Sequence, residues 1–180
     1  MLKKYVFLLL LFFSTVTILE ASSEDKIKSI YIGRFSMFFK WPQKSNTFNI
    51  CIYNDSKFTK DLSRRYKNRL PNGSPLNVIA IKIGGLSKVR QKCNILYARN
   101  ESIRKNIFLL DDFDKMNVLL ISDEYDDIYH GSIISFYLKE NKVKFVINHQ
   151  KLLDSGLEVS YKLLKYAKVI NPVVGNGYVE

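Results

Sequence analysis

The tetrapeptide Val118-Leu119-Leu120-Ile121 contains no polar residue and runs straight into Ser122 and Asp123. A run this short and this continuous suits a strand in the interior of a sheet, because a strand covered on both faces needs both of its side-chain rows apolar. Val78 to Ile83 and Asn94 to Ala98 read the same way. Between Ala98 and Val118 lies Ser102 to Leu110, where Ile103, Ile107 and Leu110 share one helical face, so strand, helix and strand form a crossover unit. The expected fold class is α/β: a three-layer sandwich with a mixed, partly parallel central sheet flanked by helices.

Toward the N-terminus, Phe48 to Tyr53 is rich in β-branched and aromatic residues and reads as another strand, followed by Asn54-Asp55-Ser56, where a helix can be capped. That helix spans Lys57 to Arg69, with Phe58, Leu62 and Tyr66 as its single apolar stripe among many Lys and Arg, and Pro71-Asn72-Gly73 ends it. Ile27, Ile30, Tyr31, Phe35 and Phe38 recur at helical spacing, so an aromatic-faced helix precedes the Trp41-Pro42 stop. Toward the C-terminus, Ser132 to Leu138 and Val143 to Ile147 form a hairpin over Lys139 to Lys142, whose Asn141 tolerates left-handed backbone. Asn148 caps a short helix holding Leu152 and Leu153, and Gly156 ends it. Val159, Leu163, Tyr166 and Ile170 then line the buried face of a final helix, closed by Pro172.

The first residues set the compartment. Lys3 and Lys4 precede the apolar run Tyr5 to Phe13, which tapers to Leu19, and Ala21-Ser22-Ser23 offers small residues for cleavage before Glu24-Asp25-Lys26. This is a secretory signal pattern, with residues 1–23 removed near Ser23. An uncleaved membrane anchor is the competing reading, but the run falls short of the ~20 residues a spanning helix needs. The chain then divides into the signal peptide, one α/β domain over 24–172, and a Gly-rich tail over 173–180 expected to fray. No repeat or second domain boundary is visible.

With 180 residues, 47% apolar and 25% charged, the chain is long enough for one packed domain and too apolar for disorder. Its 28 Lys and Arg against 17 Asp and Glu give a net charge of +11. The signal peptide holds only two of the lysines and one glutamate, so the basic excess belongs to the mature domain. Export removes nucleic acid as a partner. Anionic headgroups, cell-wall polymer and an acidic protein face remain, beside plain solvation of a lysine-coated surface. An oxidising compartment also permits a disulfide between Cys51 and Cys93, which would contribute about 4 kcal/mol at most through loop closure. The alternative is two buried thiols acting as small hydrophobes.

Reactive groups are sparse. His130 and His149 are the two histidines, and neither stands in a metal or nucleophile spacing. Gly84-Gly85 before Lys88 lacks the phosphate-loop pattern. Asp123, Glu124, Asp126 and Asp127 follow the central strand, where α/β proteins place ligands, yet the spacing does not fit a calcium loop and a solvated turn is the plainer reading. Asp111, Asp112 and Asp114 read as an exposed turn. Neither a metal nor another cofactor is expected. His130 beside Gly131 and Asp123 remain candidates for a ligand site, against ordinary surface residues. Trp41, Phe38 and Phe39 are candidates for a partner-binding aromatic knob, against core packing.

The ordered landmarks resemble one family. They are Phe-Phe-Lys-Trp-Pro (38–42), Phe-Asn-Ile-Cys-Ile-Tyr (48–53), Lys-Cys-Asn-Ile-Leu-Tyr (92–97), Val-Leu-Leu-Ile-Ser-Asp (118–123), His-Gly-Ser-Ile-Ile-Ser-Phe (130–136), Val-Lys-Phe-Val-Ile-Asn (143–148) and the segment from Ser155 to Ala167. Together they are similar to the YfiR (HmsC-like) periplasmic proteins over nearly the whole mature chain. The resemblance implies a non-catalytic regulator, often dimeric, that binds the periplasmic part of a membrane diguanylate cyclase and holds it inactive, restraining cyclic-di-GMP output and biofilm formation. It also implies a disulfide at Cys51 and Cys93. A second cysteine pair of some members is missing, with Ile128 and Ser135 near the corresponding places, so switching through that pair cannot operate here. A periplasmic small-ligand or cell-wall-binding module near Asp123 and His130 is the alternative function, and a hydrolase ranks behind both.

Overall fold

A computed structural model describes residues 23–42, 46–99 and 116–171. A helix over residues 23–38, α1, leads into β1 (Phe39–Lys40) and β2 (Phe48–Tyr53). Then come α2 (Ser56–Tyr66), β3 (Leu76–Ile81), a 3-10 turn at Leu86–Lys88, α3 (Val89–Lys92) and β4 (Ile95–Ala98). After β5 (Leu119–Ser122) and a 3-10 segment (Tyr125–His130), β6 (Ile134–Lys139) and β7 (Lys142–Asn148) form a hairpin. The chain closes with α4 (His149–Asp154), β8 (Glu158–Val159), α5 (Tyr161–Leu164) and β9 (Lys168–Ile170).

Among the described residues the main sheet has seven strands in the order β3-β2-β4-β5-β6-β7-β9, parallel throughout except for the β6–β7 hairpin. The expected three-layer α/β class holds. Period-2 alternation explains the two cores: Ile50 and Ile52 face one side with Ile95, Tyr97, Ile121 and Phe136. Cys51 and Tyr53 face the other with Leu96, Ala98 and Leu120. Ile32 and Phe35 of α1, with Phe58 and Leu62 of α2, cover the first side. Leu86 and Val89 help cover the second. The expected crossover helix, Ser102 to Leu110, lies outside the described residues, as do the expected signal segment, the aspartates at 111, 112 and 114, and the expected tail.

The continuous runs behave as their composition requires at β4 and β5, where all four residues of each strand are buried. The third run differs. Its strand begins two residues earlier, at Leu76, and lies at the sheet edge, so the middle of β3 is only partly covered. The hairpin turn is tighter than expected, with both Glu140 (φ 52°) and Asn141 (φ 57°) in the left-handed region of a two-residue type I′ connection. Helix α2 stops at Tyr66, short of Arg69, because Lys67 turns left-handed while its N–H donates to Ser63 O, and Asn68 is then free to accept from Leu76 N.

The C-terminal segment departs furthest from the expected helix. Instead of one helix over Val159 to Ile170, Val159 pairs with Phe39, Ser160 caps only a four-residue helix, and Val169 pairs with Ile147. Tyr166, expected in the core, is 80% exposed. The free edge of β7 supplies backbone partners, and β-branched Val169 and Ile170 suit a strand, so tertiary pairing overrides a spacing that mimics a helix.

The disulfide reading is the one realised: Cys51 of β2 and Cys93 before β4 are bonded, with Cα atoms 5.7 Å apart, inside the second core. The two residues that the resemblance sets near a second cysteine pair are placed apart from any sulfur chemistry. Ile128 is fully buried, and Ser135 shares a 2.7 Å hydroxyl hydrogen bond with Ser122 across β5 and β6.

One close approach makes a prediction. The Tyr66 ring packs onto Gly33 in α1, and its hydroxyl donates to Ser29 O at 3.1 Å. A Cβ on Gly33 would lie 2.2 Å from that ring. Gly33→Ala should therefore destabilise the fold by about 1–3 kcal/mol in urea unfolding, although helix propensity alone favours alanine by about 1 kcal/mol. Stabilisation by Gly33→Ala would contradict this packing.

Candidate partner-binding site

Two places on the fold carry more than packing requires. The first lies at the C-terminal ends of the central parallel strands. Arg99, the residue after β4, donates from Nε to Asp123 Oδ2 at 3.1 Å, from Nη1 to Asp55 Oδ2 at 3.3 Å and from Nη2 to Asp25 Oδ1 at 2.5 Å. One planar fork thus joins α1, the capping residue of α2 and the end of β5. Asp55 does double duty, since its Oδ1 also accepts from Phe58 N at 2.8 Å. Lys28 in α1 reaches Asp123 Oδ1 at 2.7 Å and Glu24 at 3.3 Å. Burial works against the Arg99 charge, but the Asp25 bond and the surrounding anions outweigh it, and its pKa moves up.

Beneath this cluster the Tyr97 hydroxyl is buried beside Asp123 without a well-formed hydrogen bond. Burial first, and the Asp123 charge second, push the phenol well above its usual value of 10. The folded chain therefore keeps a proton that the unfolded chain releases, so this contribution to stability is complete below about pH 10 and is lost as the pH rises beyond it. Tyr97→Phe should flatten alkaline unfolding while changing stability at neutral pH by about 1 kcal/mol or less, because no strong hydrogen bond is removed. Unchanged alkaline midpoints would contradict it.

The second place is a surface cleft of about 380 Å³. Tyr31, Arg34, Phe35 and Phe38 fall at the i, i+3, i+4 and i+7 positions of one α1 face, and all four line it. Phe145 of β7, Leu163 of α5 and Tyr166 complete the wall. Phe35, Phe145 and Leu163 are buried and form the floor, with the Phe35 and Phe145 rings edge to face at 5.3 Å. Arg34 and Tyr166 stand exposed at the rim. An apolar floor with a guanidinium and a phenol at the edge can seat an apolar or aromatic group that carries a hydrogen-bond acceptor. Among its described lining residues there is no carboxylate or histidine.

The residues singled out from the sequence are dispersed. Phe39 is 4% exposed and packs edge to face on Phe35. Trp41 is half-buried; its Nε1 donates to Asn94 O at 3.0 Å, and its ring meets Phe48 at 4.8 Å. That contact lies where β2 and β4 begin, whereas Asp123 lies where β5 ends, so the aromatic pair and Asp123 occupy opposite edges of a parallel sheet. Asp123 is not part of a solvated turn: its side chain is 11% exposed and both oxygens are paired with this chain's own cations. His130 closes the 3-10 segment and is exposed. Among the described residues no group of three or more His, Cys, Asp or Glu is placed to hold a metal ion.

Sequence reading missed Arg99, Asp25, Asp55 and Lys28, and it missed Arg34 and Tyr166 at the cleft. The available signal was that Asp55, Arg99 and Asp123 each stand one or two residues beyond an apolar strand, which in a parallel sheet brings them to one edge.

The fold is a three-layer α/β domain with an apolar cleft beside its first helix. A family model described as YfiR/HmsC-like matches residues 25–168, and the chain belongs to that family. Among solved structures it is similar to one described as the ABC domain in complex with L-Trp from Streptococcus pneumonia, with 13% identity and a TM-score of 0.51. That likeness covers 68% of this chain and 56% of the other, so this chain spans little more than half of that structure. It is a likeness of fold. Among the described residues no helix is long and apolar enough to cross a membrane.

Proposed function

We propose that this protein is a non-catalytic periplasmic regulator that binds the periplasmic part of a membrane diguanylate cyclase and represses it, lowering cyclic-di-GMP signalling and biofilm formation. The observation that carries the proposal is the YfiR/HmsC-like match over residues 25–168. The cleft beside α1 supports it physically, since it offers a pre-formed apolar seat. In this reading residues 1–23 direct export, the domain over 24–172 does the binding, and no cofactor takes part.

Repression requires a difference in affinity. A cyclase that exchanges between active and inactive arrangements is silenced only by a protein that binds the inactive one more tightly, and shifting it from 1:99 to 99:1 takes a preference of about 10⁴-fold. The alternative module with a ligand seated at Asp123 is disfavoured, because Lys28 and Arg99 already occupy that carboxylate.

A photo-crosslinking residue in place of Tyr166, at the cleft rim, should capture a membrane diguanylate cyclase in intact cells, while the same residue in place of Lys142, on the hairpin, should not. Capture from both positions alike, or from neither, would overturn the assignment of the cleft.

A further inference from the structure

Helix α2 and the turn after it carry Lys57, Lys60, Arg64, Arg65, Lys67 and Arg69 against a single carboxylate, Asp61. Nearly half of the chain's net charge of +11 is thus concentrated in this short segment. All six cationic residues are exposed, while Phe58 and Leu62 on the opposite side are buried. Asp61 is already engaged by Lys57 and Arg64. Beside the helix, a polar groove of about 490 Å³ brings in Lys26 from α1 next to Lys57, Arg64 and Arg65. Its other carboxylate, Asp25, is held by Arg99. Lys26, Lys60 and Arg65 make no ion pair among the described residues.

We infer that this face docks on an anionic phospholipid surface. Protein interfaces are dominated by buried aromatic or apolar anchors at their centre. Among the described residues no large exposed hydrophobic belongs to α2 or to its following turn, and Ile27, next to Lys26 of the groove, is only 37% exposed. A lipid headgroup layer needs no such anchor, only cations held within a Debye length, about 8–10 Å, of a negative surface. A rigid helix presenting cations on one side meets that requirement, and the groove gives headgroup phosphates a concave seat between Lys26 and Arg65. Docking would hold the protein at the membrane in a fixed orientation. This step goes beyond the repressor reading and does not depend on it.

The test is sedimentation with vesicles of phosphatidylcholine alone and of phosphatidylcholine with phosphatidylglycerol, using protein expressed from the full gene. Binding to the anionic vesicles should exceed binding to the neutral ones at least ten-fold and should disappear in high salt. Each basic residue near such a surface contributes roughly five-fold in affinity. Replacing Lys60, Arg64, Arg65 and Lys67 together by Gln should therefore weaken binding at least ten-fold. Replacing Lys139, Lys142, Lys144 and Lys162 together by Gln removes equal charge from exposed sites elsewhere and should change it less than three-fold. Absent binding to anionic vesicles, full binding by the α2 variant, or equal loss in both variants would overturn the inference, the last by reducing it to net charge. None of these results bears on cyclase capture through Tyr166.

Discussion

Replacing Arg99 by alanine should lower the unfolding free energy by about 3 kcal/mol at neutral pH. The guanidinium is shared by three carboxylates whose side chains are only 14%, 21% and 11% exposed, those of Asp25, Asp55 and Asp123. Without it, Asp123 keeps Lys28 and Asp25 keeps only a distant Lys57 at 3.9 Å, so like charges face one another in partial burial. Removing one partner from such a cluster costs more than the pair contributes, since the remaining charges stay desolvated. The estimate sits at the low end because Arg99 itself is 29% exposed and water screens part of the loss. Arg99→Lys should fall between wild type and Arg99→Ala, because a single ammonium cannot span three acids. Urea melts at neutral pH measure both losses, and an Arg99→Ala loss below about 0.5 kcal/mol would show that the cluster does not hold α1 and α2 to the sheet.

Loss of the disulfide should have an effect of similar size. The bond closes a loop with a sequence separation of 42, for which the chain-entropy model gives about 4 kcal/mol. Residual structure in the unfolded chain lowers the expectation to about 3 kcal/mol, or roughly 10 °C in Tm for a domain of this size. Cys51 is fully buried and Cys93 is 7% exposed, so reductant should act slowly until the domain opens. The double variant Cys51→Ala with Cys93→Ala should melt lower than wild type and become indifferent to reductant. An unchanged melting temperature, or two reactive thiols in unreduced denatured protein, would contradict the bridge.

The parts of this architecture that could be read from sequence are those where burial on both faces leaves a compositional mark. Strands β4 and β5 are continuous apolar runs because they lie inside the sheet, and Asn148 could be placed at a helix start because its side chain accepts from Lys151 N at 3.0 Å, as a cap must. The C-terminal segment misled because Val159, Leu163, Tyr166 and Ile170 repeat at three and four residues, a pattern indistinguishable from a helix until the free edge of β7 is known. The charged cluster was hidden for a different reason. Asp25 and Arg99 stand 74 residues apart, and a charged residue next to a strand reads locally as loop. The cleft was half visible: the aromatic excess on the α1 face was plain, but Tyr166 had been expected inside.

We propose that the protein acts outside the cytosol by restraining a membrane cyclase. Cellular cyclic-di-GMP, measured by mass spectrometry in cells with and without the gene, tests it most directly. Deletion should raise the nucleotide; the full-length gene should restore the lower level, and a version beginning at Glu24 without an export signal should not. Unchanged cyclic-di-GMP on deletion, or full restoration by the unexported version, would contradict the account.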